Sequence, residues 1–124
     1  MTINEAISRV DELKPNTASR TDKIRWLSQI DSMVKEEIIM THYPYPQECD
    51  TAYNDETPGD TELLVKSPYD DIYVKWLEAQ IDYYSGEVNR YNNSIVMFNE
   101  LYREYNNWYN RKYMPRGARD FRYY

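Results

Sequence analysis

The chain has 124 residues, 29% of them charged and 41% hydrophobic, with a net charge of −6, which places it among single-domain globular proteins and excludes a second core or a disordered chain. No apolar run approaches the ~18 residues of a membrane span, Met1-Thr2-Ile3-Asn4-Glu5 is not a charged-then-apolar leader, and the single Cys49, beside Glu48 and Asp50, has no internal disulfide partner and no activating charge. Synthesis and retention in the cytoplasm are expected.

The first helix is expected from Thr2, with Glu5 at capping-box spacing, and its stripe is Ile3, Ile7, Val10 and Leu13 before Pro15 ends it. A second starts near Ser19, with Asp22 three residues on. Ile24, Leu27, Ile30, Val34 and Ile38 recur at threes and fours, widened by Trp26 and Met33, and the helix should stop near His42 ahead of Pro44 and Pro46.

Residues 43–66 carry Glu48, Asp50, Asp55, Glu56, Asp60 and Glu62 with no base before Lys66. Pro58-Gly59 is a turn signal, and Glu62-Leu63-Leu64-Val65 reads as a short extended piece. The expectation is an acidic excursion that a compact bundle does not need, reaching a neighbour or a channel instead.

Ser67 is the expected N-cap of a third helix, with Pro68 in its first position and Asp70 as capping acid. Tyr69, Ile72, Tyr73, Trp76, Leu77, Ile81, Tyr83 and Tyr84 form so broad an apolar face that the helix should pack on more than one side. Asp71, Lys75, Glu78 and Asp82 form the solvated line, and Gly86 ends the helix.

The fourth and longest helix is expected over roughly Glu87 to Tyr113. Tyr91, Ile95, Phe98, Tyr102, Tyr105 and Tyr109 alternate at fours and threes, a seam made largely of tyrosine. Tyrosine, at 14 residues of the chain, suits surfaces that are wet in one state and covered in another. Seven asparagines in the same segment are poor helix formers, and with the tyrosines they point to polar protein–protein contact. The expected core is Trp26, Leu27, Ile30, Val34, Ile72, Trp76, Ile95 and Phe98.

Beyond Pro115 and Gly117 the chain alternates guanidinium and aromatic groups: Arg116, Arg119, Phe121, Arg122, Tyr123 and Tyr124. Residues 1–110 carry 10 Lys/Arg against 20 Asp/Glu, whereas residues 111–124 carry 5 against 1. An acidic body repels nucleic-acid phosphate, so these six tail residues are read as partner-binding groups for a protein. The domain reading is a helical bundle over 1–114 and an extended basic and aromatic tail over 115–124. The fold class is all-α: a small four-helix bundle with a long C-terminal helix, an acidic loop between helices 2 and 3, and that tail.

Signatures of chemistry are missing from the sequence. His42 is the only histidine and is read as a helix-end cap. Cys49 lies seven residues from it, in a loop ill suited to hold a dyad. Aligned on Asp50, an EF-hand loop would need ligands where Ala52 and Thr61 stand and glycine where Asp55 stands. No catalytic residue, metal or cofactor is therefore expected, and the chain is read as a non-enzyme.

The stretch from Glu62 to Pro115 resembles the head–tail connector (adaptor, or head-completion) proteins of tailed bacteriophages. The likeness is carried by Ser67-Pro68-Tyr69-Asp70-Asp71-Ile72-Tyr73, Ala79-Gln80-Ile81-Asp82-Tyr83, Gly86-Glu87 and Arg90-Tyr91-Asn92-Asn93-Ser94. Lys23-Ile24-Arg25-Trp26-Leu27-Ser28 and Thr41-His42 extend it upstream. The resemblance implies a helical bundle made in the host cytoplasm and built into the neck of a virion. There it forms a homo-oligomeric ring, dodecameric if it follows portal symmetry, between the portal protein and a downstream neck or tail-completion protein. DNA would be passing cargo only, with no membrane involved. Tyr102, Tyr105 and Tyr109 would become subunit contacts and the tail an arm for the portal or a neighbour. The rival reading is a phage-encoded helical regulatory or nucleic-acid-binding protein.

Overall fold

The computed structural model of the chain describes residues 1–43 and 50–115. Four helices make up the body: α1 (Ile3–Leu13), α2 (Arg20–Glu37), α3 (Asp71–Tyr84) and α4 (Val88–Lys112). No helix among the described residues is long and apolar enough to cross a membrane.

The first two helices start where their caps place them. Thr2 Oγ1 accepts from the Glu5 N–H at 3.1 Å, and Ser19 Oγ from the Asp22 N–H at 3.1 Å, each satisfying a donor that the first turn leaves unpaired. In α1 the buried stripe is Ile3, Ala6, Ile7 and Val10. Leu13, expected to extend it, is exposed; the contact to α3 there is made by Lys14, its Nζ 2.5 Å from Asp82. In α2 the buried face is Ile24, Trp26, Leu27, Ile30 and Val34. The helix stops at Glu37, short of His42, and Ile39–Thr41 tighten into a 3-10 turn. Thr41 Oγ1 donates to the Ile38 carbonyl at 2.8 Å, occupying one of the terminal acceptors.

The central element is α3, which packs against α1, α2 and α4, as its broad apolar face requires. Its start differs from the expected one. Residues 67–70 form a turn, with the Tyr69 N–H on the Lys66 carbonyl at 3.0 Å, and the helix begins only at Asp71. Asp70 does not cap the helix through its side chain; its carboxylate lies 3.7 Å from the N-terminal ammonium. Asp82, expected on the solvated line, is 2% exposed and is held by Lys14 and, at 3.0 Å, by the Ser94 hydroxyl.

Gly86 turns the chain between α3 and α4 at φ +77°, a region that costs a glycine little and any Cβ-bearing residue more. The 25 residues of α4 span about 37 Å at 1.5 Å each. One line of α4 is buried: Ser94, Phe98, Tyr105 and Tyr109. Trp76 packs at a tilt against Phe98, 4.9 Å between centroids, and its indole N–H donates to the Trp26 carbonyl at 2.9 Å, tying α2, α3 and α4 together. Trp76 and Ile95 are half-buried; the other six expected core residues are buried.

The described part of the acidic segment belongs to the body, against the expectation of an excursion. Leu63 and Val65 are fully buried. The backbone zips onto the start of α1, the Ile3 N–H donating to the Thr61 carbonyl at 3.1 Å, the Asn4 N–H to Gly59 at 2.9 Å, and the Leu63 N–H to Met1 at 3.0 Å. A Cβ at Gly59 would overlap the Asn4 side chain. After α4, residues 114–115 pair antiparallel with His42–Tyr43, His42 opposite Pro115 and Tyr43 opposite Met114, so Pro115 is tied to the body. The acidic residue Glu48 and the tail from Arg116 lie outside the described residues.

Candidate interaction surfaces

The buried polar groups are structural ties. Asp31 lies one residue on from Ile30, on the face that Leu27 and Val34 share. Its carboxylate accepts from the Tyr53 hydroxyl at 2.6 Å, the Tyr73 hydroxyl at 2.5 Å and the Leu64 N–H at 3.2 Å. One carboxylate thus fastens α2 to the acidic segment and to α3. Burial raises its pKa above the ordinary aspartate value, and the three donors oppose that rise only in part. Burial, together with the neighbouring carboxylate, holds the Tyr73 hydroxyl far above its usual range, so it stays protonated and donates. The same oxygen accepts the Val65 N–H at 2.7 Å.

His42 is buried at the helix end, in keeping with its reading as a cap. Nδ1 meets the Ile38 carbonyl at 2.6 Å, Nε2 meets the Asn110 side-chain amide, and the ring stands edge-on to Tyr109 at 4.8 Å. Among the described residues no three His, Cys, Asp or Glu side chains converge to hold a metal ion.

The tyrosine seam of α4 packs mostly inside the chain. Tyr105 and Tyr109 pack mostly against Tyr69, Trp108 and Tyr113, and what remains of their surface lines a groove at the C-terminal end of α4. Tyr102 is half-buried, and its hydroxyl donates to Glu37 at 2.7 Å. Burial and that carboxylate push its pKa up. The tail residues expected to bind a partner, Arg116, Arg119, Phe121, Arg122, Tyr123 and Tyr124, lie outside the described residues.

Besides a shallow hollow between α2 and α3 lined by Arg25, Ser28, Gln29, Ser32, Met33 and Trp76, two exposed surfaces lie at opposite ends of α4. The first is the tip of the α3–α4 hairpin. Tyr83, Tyr84 and Val88 are 71%, 60% and 67% exposed. Tyr83 and Tyr91 lie 5.4 Å apart and, with Val88, line a hollow of about 240 Å³ beside Gly86. Val96 and Met97 are also exposed, on other faces of α4. The sequence pattern had assigned Tyr83 and Tyr84 to the packed face; α3 ends beside Gly86, and among the described residues Tyr84 meets only the edge of Trp26 and Tyr83 only Tyr91 as ring partners, so both stay more than half exposed. The second is a groove of about 330 Å³ at the other end, where Tyr105, Trp108 and Tyr113 face Ile39 and Leu64 and two lysines, Lys66 and Lys112, stand at the margin. Neither was legible as a site: the groove joins residues from separate segments, and the tyrosines of the tip fit the pattern of a packed face. No family model, no curated protein and no solved structure matches the chain.

Proposed function

We propose that the chain is a structural assembly protein of a phage neck, an adaptor between the portal and the tail components after DNA packaging. The sequence likeness to connector proteins supplies the setting. The observation that carries the reading is the exposed apolar tip of the α3–α4 hairpin, three large side chains each more than half exposed on two mutually packed helices. Large apolar and aromatic side chains left uncovered on a rigid element are the anchors protein interfaces use. The aromatic groove about 30 Å away along α4 gives the molecule a second, chemically different surface, as a component linking two neighbours needs. In this reading the hairpin tip seats on the portal or on the next neck protein.

The test is genetic. Deleting the gene should leave DNA-filled heads that do not join tails. Tyr83→Ser with Val88→Ser should give the same arrest while the purified variant keeps its helical circular dichroism. Normal virions from the deletion would refute the adaptor reading. A changed transcript profile with normal virions would favour the regulatory reading.

A further inference from the structure

The groove at the C-terminal end of α4 stands out in a chain of net charge −6, because the described residues that line it include two lysines and no carboxylate. Lys112 Nζ lies over the rings of Trp108 and Tyr113, 5.0 and 5.5 Å from their centroids, and forms no ion pair among the described residues. Lys66 Nζ touches the Leu63 carbonyl at 3.2 Å and Glu62 at 3.6 Å, on an open side chain. Aromatic walls with ammonium groups at the rim suit an acidic segment that also presents an apolar ring.

The chain itself contains such a segment. Residues 54–60 form a stiff turn: the Thr57 N–H donates to the Asn54 carbonyl at 3.0 Å, the Asn54 N–H to Thr57 Oγ1 at 2.9 Å, and the Glu56 N–H to Asn54 Oδ1 at 2.8 Å. Pro58 is exposed at its crest, between the exposed carboxylates of Glu56 and Asp60. A turn already fixed by its own hydrogen bonds loses little freedom on docking, its proline ring suits an aromatic wall, and the two carboxylates match the two lysines. The turn does not fill the groove of its own molecule. Thr21, at the start of α2, donates to Asp55 at 3.0 Å, whereas Ile38 and Ile39 lie at the far end of that helix, about 25 Å away.

We propose that the groove receives the turn around Pro58 of a second copy of the chain, with Glu56 and Asp60 on Lys66 and Lys112. The giving and receiving surfaces differ, so the contact is heterologous and propagates from copy to copy until a ring closes. The inference deepens the adaptor reading and rests on it for the ring; the contact itself is tested separately. A nucleic-acid phosphate is the rival occupant, disfavoured by the acidic body.

The experiment is a charge swap on the full-length protein, followed by sedimentation velocity at low salt. One variant carries Lys66→Glu and Lys112→Glu, the other Glu56→Lys and Asp60→Lys. The wild type should self-associate with rising concentration, each variant alone should associate at least tenfold more weakly, and their equimolar mixture should regain association. All substituted side chains are exposed, and unchanged thermal melts check that the fold survives. A wild type monomeric up to millimolar concentration would overturn the proposal. So would variants that associate as the wild type does, a mixture that stays monomeric, or an oligonucleotide that binds through Lys66 and Lys112. If association fails while the gene still joins heads to tails, the contact is wrong and the adaptor reading stands. If the swap rescues association while heads join tails without the gene, the contact stands and the adaptor reading falls.

Discussion

At the scale of single residues, the polar side chains inside this bundle each hold two or three segments together. Tyr73 is the clearest case, since its hydroxyl donates to Asp31 and accepts from Val65. Tyr73→Phe keeps the ring and strands the Val65 N–H, so we predict a loss of about 1–3 kcal/mol in urea unfolding; an unchanged midpoint would count against the tie. Asp31 gives a pH signature. Burial raises its folded-state pKa above the 3.8 of a free aspartate, so just above that value the folded state holds more protons than the unfolded. Stability contributed by this group is therefore highest in acid and falls as pH rises through the folded-state pKa. Asp31→Asn should remove that fall, so the difference in stability between variant and wild type should shift in favour of the variant as pH rises from 3.8. A difference independent of pH would show that the carboxylate is not desolvated.

At the scale of elements, local chemistry explains what was legible and distance explains what was not. Thr2 and Ser19 were readable as caps because their bonds span three residues. Ser67 looked equally good and does not start α3: residues 67–70 form a turn instead, and the Asp70 carboxylate faces the N-terminal ammonium, 69 positions earlier in the chain. Asp82 read as solvated because its cation, Lys14, lies in α1. The acidic segment read as dispensable because its charges dominate its composition, yet two of its apolar residues reach the core. The groove was illegible for the same reason, being assembled from residues 39, 64–67 and 105–113, whereas the tip was missed because Tyr83 and Tyr84 fit the apolar pattern of a packed face. Leu63→Ala should cost about 2–5 kcal/mol, as for any leucine removed from a packed interior; a loss below about 1 kcal/mol would show that the segment is not part of the fold. Gly86→Ala meets no neighbouring atom, so only the positive φ opposes it, and we predict a loss of about 1 kcal/mol in thermal unfolding. A neutral result would mean the turn does not need that conformation.

At the scale of the whole molecule, α3 gathers the other helices around it, and α4 carries one distinct surface at each end. In the proposed assembly the basic aromatic groove and the turn around Pro58 link one copy to the next, and the apolar tip is left free to dock. The tip and the groove act independently in this account: substitutions at Tyr83 and Val88 should block docking without affecting self-association, and substitutions at Lys66 and Lys112 should do the reverse. The most direct test of the assembly role is to add the purified protein to DNA-filled, portal-bearing heads from the deletion strain and reconstruct the vertex by electron cryomicroscopy. The account predicts a new ring of helical density on the portal, with the α3–α4 hairpin tips at its contact with the portal or facing the next neck position. A vertex identical with and without the added protein would contradict it.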